Sequence, residues 1–252
     1  MNVKLFTVRN IVNLAQTGLK IKLNSKYHIL FTFFILLCPG HIQAGDQVNY
    51  DISLADNRIG QINIAIKLTL PNQLIAVDGN IDNSPLQLFD SNFTSNSETN
   101  SIGGKLVTRF HSIKETNFKS REITYEINNG MLTKIDIQPS QEKTMLSSVD
   151  FYHPKFTNPA KALLRLIRFP CSETFNIFDG RRIVKIRRKD TKNDLSCKYH
   201  YEVLYGPGHI SPFFFKKMNI LVGKFSEEKN IAQELTAKLG FFKLKLNTRA
   251  HE

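Results

Sequence analysis

The chain is 252 residues long, carries 34 Lys and Arg against 22 Asp and Glu for a formal charge of +12, and is 41% hydrophobic. Five of the basic residues and none of the acidic ones lie in the first 44 positions, so the remainder holds 29 basic against 22 acidic residues, or +7. An excess of that size suits a solvated Lys-rich surface or a contact with lipid head groups and other envelope polyanions, and without a one-sided basic stripe it argues against nucleic acid as a partner.

The first 44 residues combine Lys4, Arg9, Lys20, Lys22 and Lys26 with an apolar run from Ile29 to Cys38 and a small residue at Ala44. These are the parts of a secretory signal peptide. The apolar run is shorter than the roughly 20 residues that span a bilayer, and Pro39-Gly40 breaks it, so a retained signal anchor is the weaker reading. The expectation is a cleaved signal peptide over 1–44, a single β-rich envelope domain over 45–252, export to the periplasm, and no stable membrane span after cleavage.

Beyond the leader the dominant period is two, the signature of strands with one face on a core and one in water. Val48, Tyr50, Ile52 and Leu54 alternate with polar residues, and Ile62, Ile64, Ile66, Leu68 and Leu70 do the same after Asn57 to Gly60, which predicts a first hairpin turning over 57–60. Ser91 to Gly104 crowds Ser, Asn and Thr together and ends in Gly103-Gly104; no apolar period survives there, and the segment is expected to be a mobile loop. Ile123, Tyr125 and Ile127 precede Asn128-Asn129-Gly130, with Ile135 and Ile137 beyond, a second hairpin.

One helix is predicted. Asn158 suits the N-cap, Pro159 the first helical position, Ala162, Leu163, Leu166 and Ile167 form an apolar stripe, and Pro170 stops it. Its role is to cover or plug a sheet. Phe175 to Phe178, Asp179-Gly180 and Arg181 to Arg188 read as a third hairpin with a tight primed turn, pairing onward with Lys198 to Leu204.

The run Arg181, Arg182, Lys185, Arg187, Arg188 and Lys189 is the densest charge feature. On a strand it splits between two faces. Lys185 and Arg187 share one face and form a candidate anion contact, against the plainer reading of charges that protect an edge strand. After Gly206-Pro207-Gly208 come Phe213, Phe214 and Phe215, which cannot all face one core if extended. They are the candidate surface for an apolar ligand or a partner protein, with core packing as the plainer reading. Ser226 to Gly240 is ambiguous by pattern alone, since Ile231, Leu235 and Leu239 have helical spacing.

Loss of Cys38 with the leader leaves Cys171 and Cys197 in an oxidising compartment, where a disulfide is the leading reading and two buried thiols the other. Both lie at one end of the predicted three-strand meander with a strand between them. At about 4.8 Å per strand that gap exceeds what a disulfide bridges, so Cys171 must leave the sheet and cross over its end.

The collinear order of Tyr50 to Gly60, Arg121 to Gly130, Asn158 to Leu163 and Phe178-Asp179-Gly180-Arg181-Arg182 resembles the bacterial exported family known as domain of unknown function 3108, over most of the chain beyond the leader. The resemblance implies an extended, curved antiparallel sheet, an open barrel or β-spiral with one short covering helix, in the envelope of a Gram-negative bacterium. It implies a strand over Ile231 to Lys238 turning at Leu239-Gly240 into Phe241 to Asn247, and no established enzyme activity. The long basic leader and the polar segment at Ser91 to Gly104 depart from the family pattern.

Signatures of catalysis are sparse. No Gly-x-Ser-x-Gly elbow, His-Glu-x-x-His pair or glycine-rich phosphate loop occurs, and His111, His153, His200 and His209 stand singly. The expectation is a non-enzymatic envelope protein, without catalytic residues, metal or cofactor, that binds a partner protein or an apolar or lipidic ligand. An envelope hydrolase with an unrecognised site is the alternative.

Overall fold

The computed structural model of the chain describes residues 46–82, 84, 90–151, 154–169, 171–189, 196–207, 217–226, 231–239 and 242–249. The leader, and Phe213 to Phe215, lie outside the described residues. Among the described residues no helix is long and apolar enough to cross a membrane.

Seven strands come first: β1 (Asp46–Leu54), β2 (Asn57–Thr69), β3 (Asn72–Ile81), β4 (Ser91–Ile102), β5 (Lys105–Thr116), β6 (Ser120–Asn128) and β7 (Met131–Gln138). The helix α1 (Pro159–Arg168) follows, then β8 (Phe175–Phe178), β9 (Ile183–Lys189), β10 (Ser196–Tyr205), β11 (Lys217–Ser226), β12 (Ile231–Leu239) and β13 (Phe242–Thr248). All belong to one antiparallel sheet in the order β7-β6-β5-β4-β3-β2-β1-β13-β12-β11-β10-β9-β8. Each half is a meander, and β13 returns to pair with β1, Ile52 opposite Leu246. β7 and β8 end the sheet and do not pair with each other, so it is not closed by backbone pairing; Thr157 bridges the outer side of β8 at Ile177. The expected strand over Ile231 to Lys238 and its return are present as β12 and β13.

The period-two pattern works as expected in β1, where Val48, Tyr50, Ile52 and Leu54 are buried and the residues between them are not. The first hairpin turns earlier than predicted. Ala55 and Asp56 adopt φ of 49° and 68°, a two-residue loop whose twist matches the flanking strands, and Asn57 to Gly60 extend β2 across a bulge beside Ile52 and Ser53. The second hairpin turns at Asn129-Gly130, both with positive φ, as predicted. The third is looser than a primed turn. Phe178 pairs with Ile183, leaving Asp179 to Arg182 as the loop, because the Asp179 carboxylate accepts the amides of Arg181 at 3.0 Å and Arg182 at 2.9 Å.

The expectation of a mobile loop at Ser91 to Gly104 is corrected. Ser91 to Ile102 is a twelve-residue strand paired along its length with β3 and β5, and only Gly103-Gly104 turns. The inward positions of β4 are Ser91, Phe93, Ser95, Ser97 and Thr99. The small side chains among them, Ser95, Ser97 and Thr99, leave room for α1 to lie close. The Asn158 side chain, 1% exposed, donates to Ser97 Oγ at 2.7 Å and accepts the Lys161 amide at 2.9 Å, so one residue both caps the helix and fixes it to the sheet. Packing against a polar strand hides that strand from any count of apolar periodicity.

α1 lies within the curve of the sheet. It touches β3 and β4 on one side and β8 and β12 on the other, and no residue from Pro159 to Arg168 is exposed. Leu163, expected in the buried stripe, is half-buried, whereas Leu164 is buried.

The sheet ends overlap as in a roll. Phe175 and Ile186 face the main interior, while Phe178 and Ile183 point the other way and are equally buried. Phe178 meets the ring of Tyr125 at 5.5 Å, and Tyr125 meets Phe110 at 4.7 Å. The outer face of the β8 edge thus packs on the inner face of β5 and β6. Adding a methyl group to Gly180 would place it 2.6 Å from Ile123 Cγ2. β9 is therefore not an edge strand along Ile183 to Ile186, which pair with β8; only Arg187 to Lys189 run past its end.

Candidate functional site

One groove of about 410 Å³ opens beside the helix, lined by Gln73, Thr157, Lys161, Leu164, Arg165, Phe169 and Ser172. A volume of that order falls within the range of small-ligand sites. Lys161 and Arg165 stand four residues apart on α1 and so share a face.

Lys161 reaches Thr108 Oγ1 at 3.3 Å, and the hydroxyls of Thr108 and Thr99 lie 3.0 Å apart. Burial holds the pKa of the Lys161 ammonium below the usual lysine range. The Arg165 guanidinium lies 4.6 Å from the centre of the Phe175 ring. Neither cation has a carboxylate partner among the described residues. The apolar wall comes from Leu164 and from Phe169, which is 60% exposed just past the helix end. Ser172 closes the far side, its hydroxyl donating to the carbonyls of Phe169 at 3.2 Å and Arg165 at 3.3 Å. Two cations without a carboxylate partner among the described residues, beside an exposed aromatic ring, form an amphipathic surface.

Cys171 and Cys197 are joined, with Cα atoms 5.2 Å apart. Cys197 sits on β10, and Cys171 lies before β8, outside the strands, at φ 56°, the crossing the sequence required. The Arg188 guanidinium donates to the Cys171 carbonyl at 2.9 Å. The bridge anchors the segment that follows α1, and so the groove wall at Phe169 and Ser172.

Lys185 is half-buried opposite Asn176 and Glu202, and Arg187 is exposed opposite His200. His111 lies against Glu122 at 2.9 Å, and His200 lies 3.5 Å from Asn219. Phe213, Phe214 and Phe215 lie outside the described residues. The sequence reading overlooked Lys161 and Arg165, although their spacing and their place beside the apolar stripe of α1 were open to view.

The fold defines a β-barrel-like protein: among the described residues, an unclosed, rolled antiparallel sheet around one α-helix. No family model matches the chain, and no curated protein matches it. Among solved structures it is similar to a beta-barrel-like protein of Domain of Unknown Function DUF1849 from Brucella abortus, at 10% identity and a TM-score of 0.42, over 82% of this chain and 96% of that one.

Proposed function

We propose that this is an exported, non-enzymatic periplasmic protein of the cell envelope whose groove along α1 binds an amphiphile, an apolar chain with an anionic head. The observation that carries the reading is the pairing of Lys161 and Arg165, without carboxylate partners among the described residues, with the exposed ring of Phe169. Two cations beside an apolar wall of Leu164 and Phe169 suit retention of an amphiphile, head on the cations and chain on the wall. Export is supported by the acid-free leader and by the paired cysteines.

Titration with a fluorescent long-chain fatty acid tests the reading. Saturable binding is expected, weakened about tenfold in Arg165→Gln, the loss of one charge-assisted contact, and weakened also in Phe169→Ser, whose exposed side chain leaves the fold intact. Unchanged affinity in both variants overturns it.

A further inference from the structure

A second cluster lies at the overlap of the sheet ends, away from the groove. Lys114 on β5 stands directly opposite Arg121 on β6. Like charges in that position repel. Arg121 and Arg181 both pair with Glu142, at 3.0 Å and 2.9 Å, and Lys119 joins them at 3.2 Å, so three cations share one carboxylate. Arg182 pairs with Asp179 at 2.7 Å. Counting Lys114, five cations meet two carboxylates.

The side chains of Arg121 and Arg181 are only 16% and 14% exposed, so water screens their excess charge poorly. The Lys114 ammonium is crowded by protein and then by the charges of Arg121, Arg182 and Lys119, and all of these hold its pKa below the usual lysine range. Lys114 is nonetheless exposed as a residue, which gives an incoming ion access. No carboxylate pairs with it among the described residues. A guanidinium has five N–H donors and an ammonium three, so donors remain on each cation after Glu142 is satisfied.

Thr108, which meets the groove lysine, and Lys114 share the inner face of β5 six residues apart, roughly 20 Å along the strand. We propose that Lys114, Arg121 and Arg181 form a second binding site, for a phosphate-class oxyanion, at the seam where the ends of the sheet overlap. A tetrahedral dianion accepts from all three donors and neutralises the excess charge. Arg121 belongs to one end of the sheet and Arg181 to the other, so the bound ion clamps the roll shut.

The experiment is thermal unfolding of the disulfide-intact protein in inorganic phosphate against chloride at matched pH and ionic strength. Phosphate about 100-fold above its Kd raises the melting temperature by roughly 5 to 10 °C. Lys114→Gln melts higher than the parent in chloride, because a repulsion is gone, and loses most of the gain from phosphate; Lys119→Gln, a second exposed site, loses part of it. A rise in chloride equal to that in phosphate overturns the site, as does a full phosphate gain in Lys114→Gln. Sedimentation with vesicles of phosphatidic acid, a phosphomonoester, in a phosphatidylcholine background separates two sources of the same chemistry. Co-sedimentation that Lys114→Gln abolishes supports a lipid phosphate as the ligand, and phosphate stabilisation without co-sedimentation supports a free phosphate compound.

Discussion

The phenol of Tyr125 donates a 2.7 Å hydrogen bond to the carbonyl of Phe178, and both residues are almost wholly buried although 53 positions separate them. Tyr125 belongs to one end of the sheet and Phe178 to the other, so this bond stands in for the ladder that a closed barrel would have there. Tyr125→Phe keeps the ring contacts and leaves the carbonyl unpaired in an apolar seam. The expected cost is about 1–3 kcal/mol of stability, read from the midpoint of urea unfolding. A loss near zero would mean that the seam admits water.

Gly180 tests the same overlap sterically. Its φ is 90°, and an added Cβ would lie 2.6 Å from buried Ile123. Gly180→Ala is expected to cost about 2–4 kcal/mol from strain and overpacking together. Gly104→Ala, at φ 75° with nothing within 4 Å, carries only the backbone term of about 1 kcal/mol. Parallel denaturant curves of the two variants separate the contributions.

The bridge between Cys171 and Cys197 closes a sequence separation of 26. On the chain-entropy account it stabilises the fold by roughly 3–4 kcal/mol, so reduction should lower the melting temperature by about 6–16 °C for a domain of this size. Because the bridge holds the groove wall, reduction should weaken fatty-acid binding before the sheet melts. Mass mapping without reductant should recover the two cysteine peptides linked.

Glu142 sets the acid limit of the seam. Burial pushes its pKa up, but the hydrogen bond from Lys119 and the charges of Arg181 and Arg121 outweigh it, and the carboxyl lies below its ordinary 4.5. A folded value below the unfolded one gives stability that is present above about pH 4.5 and is lost as pH falls through the folded value. Glu142→Gln is expected to cost about 1–3 kcal/mol at pH 7, with the gap to the parent closing below pH 4.5. A gap that stays constant with pH would show that the carboxylate charge is not the cause.

Much of this architecture could be read from the chain because strands with one buried face write an alternating pattern, as Val48 to Leu54 and Ile123 to Ile127 do. The helix announced itself through Asn158, Pro159 and its apolar spacing. β4 could not be read in the same way. Apart from Phe93, its inward residues are small and polar because α1, not a second apolar layer, lies against them, and Ser97 reveals its purpose only beside Asn158. The overlap was equally hidden. Phe178 and Ile183 look like ordinary strand residues until both faces of β8 and β9 prove to be buried. At the groove, Lys161 and Arg165 were visible but unmarked, since i, i+4 cations on a helix usually face water, and only the rolled sheet places them on a rim.

The pairing of β1 with β13 also bears on how the molecule is made. Tyr50 finds its partner Thr248 only when the last strand has emerged, so β1 waits through synthesis with an unpaired, apolar edge. Contacts of such long sequence separation slow folding and expose strand edges to misassociation. The β1–β13 ladder that joins the two meanders therefore cannot form until residues 242–248 are available.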